Sequence, residues 1–430
     1  MLELIDGRDQ LTPVHVPRPR PGRARPDPAA TVAEIIEAVR LEGDPAVLRY
    51  TAELDSVDLT QVGLRVDGDT ITRSVSLVRP ELIAALEAVA ANLRAACERA
   101  LPAEWINESD GVLTGEVLRP MTRAGVYVPG GRASYPSSVM MAAVPAQSAG
   151  VKQIAVATPP GPGGDVPEAI LAACALAGIT EVYRMGGAQS IAALAYGTET
   201  VRPVDIIVGP GNVFVATAKR MVSGQVAIDS EAGPTELAIV ADEDADPIVL
   251  AADLVAQAEH GPGGTHALIT WSASLAERVI EVLEVEVDRH PRADDVENAL
   301  IEGGKAVLVR DLDHALDTAN AFAPEHLQLS FSGARAALPR IRNAGAIFVG
   351  YSTPVAAGDY AAGTNHVLPT GGTARWSSGL GVNDFLKRIY VAEVSERGLA
   401  AMSGHVDALA TAEGLGAHAR SVRVRLGDLS

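Results

Sequence analysis

Apolar residues recur along this chain in two rhythms. Between residues 31 and 100 they follow helical spacing: Val32, Ile35, Ile36 and Val39 share one face, and Leu82, Ile83, Leu86, Val89 and Leu93 share another after Pro80. Thr31 and Glu34 form a capping-box pair, which predicts a helix opening at Thr31, and Gly43 is placed to cap its end. From about 122 the rhythm changes to short aliphatic runs separated by helical stretches. The runs 125–128, 153–157, 181–185 and 204–208 read as buried strands, with helices over 138–150, 166–178, 189–196 and 212–223. A second alternating set runs through 237–240, 267–270, 306–309, 327–330 and 346–349. Strand–helix alternation with short connections implies parallel sheets and right-handed crossovers. The fold class expected is therefore α/β: two Rossmann-like parallel-sheet domains plus a small helical C-terminal tail. The boundaries expected are an extended arm over 1–28, a first discontinuous domain over 29–123 and 236–380, a second domain over 124–235, and a tail over 381–430.

Composition narrows the function classes. With 35 Lys and Arg against 54 Asp and Glu, the net charge is −19, the wrong sign for a nucleic-acid backbone or an anionic membrane surface. A basic, proline-rich stretch over 17–26 departs from this, and reads as a linker or surface arm rather than a nucleic-acid arm. Only sixteen aromatics occur, so the core is aliphatic, as strands covered on both faces require. No 18-residue apolar run and no basic-then-apolar leader are present, and two cysteines make no disulfide framework, so a cytoplasmic, non-membrane protein is expected.

Glycine-rich turns follow several predicted strands, at 127–131, 159–164, 185–189 and 208–212. Such turns let backbone N–H groups approach a phosphate, although each also serves as an ordinary tight connection, and none is the Gly-x-Gly-x-x-Gly fingerprint. Gln257 and His260 lie three apart near the end of a helix predicted over 251–260, which puts them on one face beside the turn 261–264. The pair reads as metal ligands or as a solvated helix end. In Pro324-Glu325-His326 a proline stops a helix and fixes a carboxylate beside an imidazole, two groups able to move protons near neutral pH; a plain surface turn is the alternative. Asp359 and the pair Glu413/His418 are further candidates, whereas the histidines at 15, 266, 290, 314, 366 and 405 show no distinguishing pattern.

Taken together, Tyr127–Gly131, Tyr135–Val139, Gly186–Glu199, Gly209–Val215, Ala232–Glu236, Gln257–Pro262, Ala323–Leu327, Gly358–Tyr360, Gly363–Thr370 and Glu413…His418 resemble one family, the zinc- and NAD-dependent histidinol dehydrogenases. The resemblance implies one Zn²⁺ per subunit, held by Gln257, His260, Asp359 and His418, with the substrate completing its shell. It implies NAD contacts at Tyr127, Gln189 and Asn212, so that 124–235 is the NAD-binding domain and the discontinuous domain carries the zinc and substrate residues. Thr235 and Glu413 would touch substrate, together with the zinc ligands and His326, and Glu325 and His326 would move protons. The implied reaction is oxidation of L-histidinol to L-histidine, through bound L-histidinaldehyde, with two NAD⁺. Members are homodimers with shared active sites, so His418 would come from the partner through an exchanged tail. The sequence 228–231 departs from the usual Ile-Asp-Met, which touches packing near the substrate, and the N-terminal arm has no counterpart in the pattern. A relative oxidising another polar alcohol, a metal hydrolase and a non-catalytic NAD-binding protein are the competing readings.

Overall fold

The structure, a computed structural model, describes residues 1–19, 28–130, 134–230 and 233–428. Most of the basic proline-rich stretch, residues 20–26, lies outside the described residues, as do Gly131 and Ala232 of the motifs above.

In chain order the elements begin with β1 (Glu3–Asp6), α1 (Pro28–Glu42), α2 (Asp44–Asp55), α3 (Gly68–Ser74), α4 (Pro80–Ala100), β2 (Trp105–Ser109) and β3 (Val112–Pro120). An alternating unit follows: β4 (Arg123–Tyr127), α5 (Pro136–Ser148), β5 (Gln153–Thr158), α6 (Glu168–Leu176), β6 (Val182–Arg184), α7 (Gly187–Tyr196), β7 (Ile206–Val208), α8 (Val213–Val222) and β8 (Ala227–Ile228). A second comprises β9 (Glu236–Ala241), α9 (Pro247–Ala258), β10 (Thr265–Thr270), α10 (Ala273–Asp288), α11 (Ala293–Gly303), β11 (Gly304–Leu308), α12 (Leu312–Phe322), β12 (His326–Ser330) and β13 (Ala346–Val349). Then come α13 (Val355–Tyr360), β14 (Leu386–Val394), α14 (Glu396–Ala412) and α15 (Gly416–Arg425).

The two alternating sets form two wholly parallel sheets, in the orders β6-β5-β4-β7-β8 and β1-β11-β10-β9-β12-β13. Helices cover both faces of each, which is why strands such as β9 and β10 are buried at every residue and read as unbroken aliphatic runs. The α/β class and the two parallel units agree with the sequence pattern. The expected faces of α1 and α4 also hold: Val32, Ile35, Ile36 and Val39 are buried, as are Leu86, Val89 and Leu93.

Packing revises the domain boundaries. The helices before residue 101 do not join the six-stranded sheet. α1 and α2 pack with α7 and α8 on one face of the five-stranded sheet, and α3 and α4 pack with α5 and α6 on the other. Each helix carries one apolar stripe that needs a sheet face, and the sheet nearer in sequence supplies it. The N-terminal segment is no free arm: β1 extends the six-stranded sheet beside β11, and Val14 and Val16 are buried against it. The tail is not wholly helical. β14 pairs antiparallel with β3 along its whole length, and with β2 it makes a separate three-stranded sheet. Finally, α1 begins at Pro28, one turn before Thr31, and α9 ends before His260.

Candidate active site

Two edges of the parallel sheets carry the residues picked out above. On the five-stranded sheet it is the carboxyl edge, where ligands of open α/β sheets sit. Tyr127 ends β4, Gln189 lies in the first turn of α7 and Asn212 is the N-cap of α8, its side chain accepting from Phe214 N–H at 3.0 Å and Val215 N–H at 3.1 Å. Tyr127 and Gln189 are buried, and the Gln189 amide has no hydrogen-bond partner at either atom. A buried amide without partners costs free energy unless something fills the space before it. Gly209 turns at φ +116°, and a Cβ there would come within 2.1 Å of Tyr127 O, so the turn tolerates glycine alone. Its peptide is clamped from below: Lys219 Nζ donates to Gly209 O at 3.0 Å, Asp229 Oδ2 accepts from Gly209 N–H at 2.7 Å, and Lys219 and Asp229 form a buried ion pair.

On the six-stranded sheet the candidate residues gather at the amino edge instead. Ala323 caps α12 in the left-handed conformation at φ 52°, Pro324 prevents continuation, and the chain enters β12 at Glu325-His326. Both residues are buried, at 8% and 3% exposure, which rules out the surface-turn reading. Glu325 Oε2 accepts from Thr235 Oγ1 at 2.7 Å and from Glu236 N–H at 2.8 Å. His326 Nδ1 donates to Glu236 O at 3.0 Å, which fixes the tautomer and leaves Nε2 as the open edge. Nε2 lies 3.3 Å from Asp359 Oδ1 but is not aligned to bond it. Burial disfavours the imidazolium, yet the Glu325 charge and Asp359 outweigh it and push His326 up to about 10.

The other candidates divide. Gln257, buried in the last turn of α9, turns its amide nitrogen to Thr235 Oγ1 and lies 3.4 Å from His326 Nδ1. Asp359 sits on α13, brought close because Gly358 passes the Phe348 ring, where a Cβ would come within 2.3 Å. Gln257 and Asp359 therefore flank His326. His260 lies beyond the helix end, exposed at the rim, with its N–H on Gln257 O at 3.3 Å. Glu413 and His418 are exposed at the junction of α14 and α15, and no cluster of three or more His, Cys, Asp or Glu side chains suited to a metal forms among the described residues. Of the four residues the resemblance implies as zinc ligands, one chain thus brings Gln257 and Asp359 beside His326, with His260 exposed beyond the end of α9 and His418 exposed on α15.

Residue-by-residue reading passed over His366. It is half-buried, with Nδ1 2.9 Å from Asp359 O and Nε2 3.2 Å from Ser138 Oγ at the start of α5. Asn365 Nδ2 donates to Met141 O at 2.7 Å, so this segment ties the two sheets' edges together beside the site. The signal lay in the Gly363–Thr370 motif, not in the histidine alone. Glu236 was missed for a different reason: it acts through its peptide, which a sequence does not display.

A buried carboxylate–imidazole pair on one parallel sheet, with glycine-rich turns at the carboxyl edge of a second, is an arrangement that suits an α/β oxidoreductase of the nicotinamide-dependent kind. The comparisons narrow the class. The profile of the family described as histidinol dehydrogenase matches residues 19–426. A histidinol dehydrogenase of Moorella thermoacetica is 48% identical over 428 residues, covering 99% of this chain and 100% of its own, and histidinol dehydrogenase 2 of a Nostoc strain is 48% identical over 92% of each chain. The crystal structure of histidinol dehydrogenase from Elizabethkingia anophelis superposes with a TM-score of 0.91 at 36% identity, covering 96% of this chain and 95% of that one. The chain belongs to the histidinol dehydrogenase family, NAD-dependent oxidoreductases of histidine biosynthesis.

Proposed function

We propose that Glu325 and His326 carry the proton transfers by which L-histidinol is oxidised to L-histidine through bound L-histidinaldehyde. The observation that carries this reading is the burial of both groups on one fixed peptide, with His326 Nε2 left open. With Nδ1–H held by Glu236 O, the neutral imidazole, the minor form below about pH 10, presents Nε2 and accepts the alcohol proton as hydride leaves the carbinol carbon. His326 passes that proton to solvent, Glu325 takes a proton from water as the water oxygen attacks the aldehyde carbon, and His326, neutral again, accepts the hydroxyl proton of the hydrate during the second hydride transfer. Thr235 and Gln257 hold Glu325 in place by the hydrogen-bond chain Gln257–Thr235–Glu325. NAD⁺, used twice, supplies the hydride acceptor at the turns bearing Tyr127, Gln189 and Asn212, where the unpartnered amide of Gln189 suits a polar ligand.

The donors Gln257, His260 and Asp359 would hold a zinc ion, whose chemistry is to bind and orient the substrate. They fit as an incomplete set. His418 of a second copy would complete it, with Glu413 against the substrate, and a homodimer with shared sites follows. The apolar groups left exposed on the small sheet and the tail support that reading: Ile106, Tyr390 and Leu409 are 62%, 82% and 65% exposed. Among the described residues no helix is long and apolar enough to cross a membrane, and a cytoplasmic setting with no nucleic-acid partner suits the acidic chain.

Purified protein given zinc, NAD⁺ and L-histidinol should release two NADH for each histidinol consumed. One NADH, or none, sinks the proposal.

A further inference from the structure

Arg18 lies in the N-terminal segment, far in sequence from every residue of the site. Its guanidinium clasps Glu236: Nε donates to Oε1 at 2.5 Å and Nη2 to Oε2 at 3.2 Å. Nη2 also donates to Phe322 O at 2.7 Å, and the guanidinium lies 4.2 Å from the Phe322 ring centroid. The segment is anchored on the six-stranded sheet's helix α12. Val14 and Val16 are buried, Val14 N–H donates to Thr318 Oγ1 at 3.1 Å, and Arg310 Nη1 donates to Gln10 O at 2.5 Å.

Glu236 is 3% exposed, and its peptide reaches both members of the acid/base pair. The N–H holds Glu325 Oε2 and the C=O holds His326 Nδ1. We propose that Arg18 is a positioning residue for the reaction, clamping the Glu236 side chain so that the Glu236 peptide aims Glu325 and His326. This rests on the acid/base reading above. Burial raises the Glu236 carboxyl, the Arg18 charge opposes that, and the nearby Glu325 charge adds to it. Without the guanidinium, the carboxylate stands unpaired in a dry place beside a second acid. It then takes up a proton or draws in water, and either response shifts the start of β9 and both hydrogen bonds with it. A lysine supplies the charge but not the two-pronged fork, so it holds Glu236 less rigidly.

The test uses full-length, zinc-loaded enzyme with L-histidinol and NAD⁺. Arg18→Ala should lower kcat on the order of 10- to 100-fold, the cost of misplacing reacting groups by a fraction of an ångström to an ångström, with both KM values within about twofold. Arg18→Lys should fall between, and millimolar ethylguanidinium should restore part of the Arg18→Ala kcat. Arg310→Ala, which loosens the same segment elsewhere, should keep the parent kcat. Wild-type kcat in Arg18→Ala overturns the inference, as does an equal loss in Arg310→Ala or a loss that ethylguanidinium leaves untouched. Should Arg18→Ala fail to fold, Arg18→Lys decides, and a wild-type kcat there overturns it. Glu325→Gln and His326→Asn run in parallel. If these keep turnover the acid/base reading falls; if they lose it while Arg18→Ala does not, only the role of Arg18 falls.

Discussion

Replacing Lys219 by Met should expose how the proposed cofactor edge is built. Lys219 is 1% exposed, and its ammonium is shared between Asp229 and Gly209 O. Asp229 in turn holds Gly209 N–H at 2.7 Å and Ser230 N–H at 2.7 Å. Methionine keeps the unbranched stem and removes the charge, leaving Asp229 buried without its cation. Breaking one partner of a buried pair costs about 3–5 kcal/mol, far above the 1 kcal/mol or less of a surface pair. Both bonds that hold the Gly209 peptide depend on the pair, so the turn beside Tyr127 and Asn212 loosens as well. Urea unfolding should show that loss of stability, and a fluorescence titration should show NAD⁺ affinity falling roughly tenfold, about 1.4 kcal/mol. The double variant Lys219→Met/Asp229→Asn removes the stranded charge while keeping an acceptor for Gly209 N–H, and should recover most of the stability. A single variant within about 1 kcal/mol of the parent, or a double variant no better than the single, would refute the reasoning.

Three more outcomes follow from the geometry. In single-turnover experiments Glu325→Gln should still release the first NADH but stall before the second, while His326→Asn should lose about 10²–10⁴-fold in both; two NADH at the parent rate from Glu325→Gln contradicts the assigned roles. His266 is fully buried with neither ring nitrogen bonded, and burial, aided by the His260 and Lys305 charges, pushes it down to about 4 from 6.5. The unfolded chain then binds more protons below pH 6.5, so this stabilisation is complete above 6.5 and is lost as pH falls toward 4. At pH 5 the metal-free protein should have lost about 2 kcal/mol more than His266→Leu, measured by urea unfolding; equal pH dependence in the two contradicts it. His260→Asn and His418→Asn should each lose zinc, by metal analysis, and activity; mixing them with confirmed subunit exchange should regain activity, and no recovery counts against a shared site.

Local physics wrote much of this protein into its sequence. Unbroken aliphatic runs between helical stripes announce strands covered on both faces, so both parallel sheets, the apolar faces of α1 and α4 and the stop at Pro324 are legible without coordinates. The ordered motifs likewise announce the family, because close backbone turns and proton-moving pairs demand particular residues at particular spacings. Pairing and packing between distant segments are another matter. That β3 finds β14 some 270 residues later, and that α1–α4 cover the five-stranded sheet, depend on which apolar faces remain uncovered when the chain collapses. Proximity through backbone groups is equally silent in a sequence. Arg18 meets Glu236, whose peptide then meets Glu325 and His326, and nothing in the spacing of these residues encodes that meeting. The residue types determine which chemistry is available; the tertiary structure alone decides that the Glu325–His326 pair is buried, fixed and placed at the amino edge of its sheet.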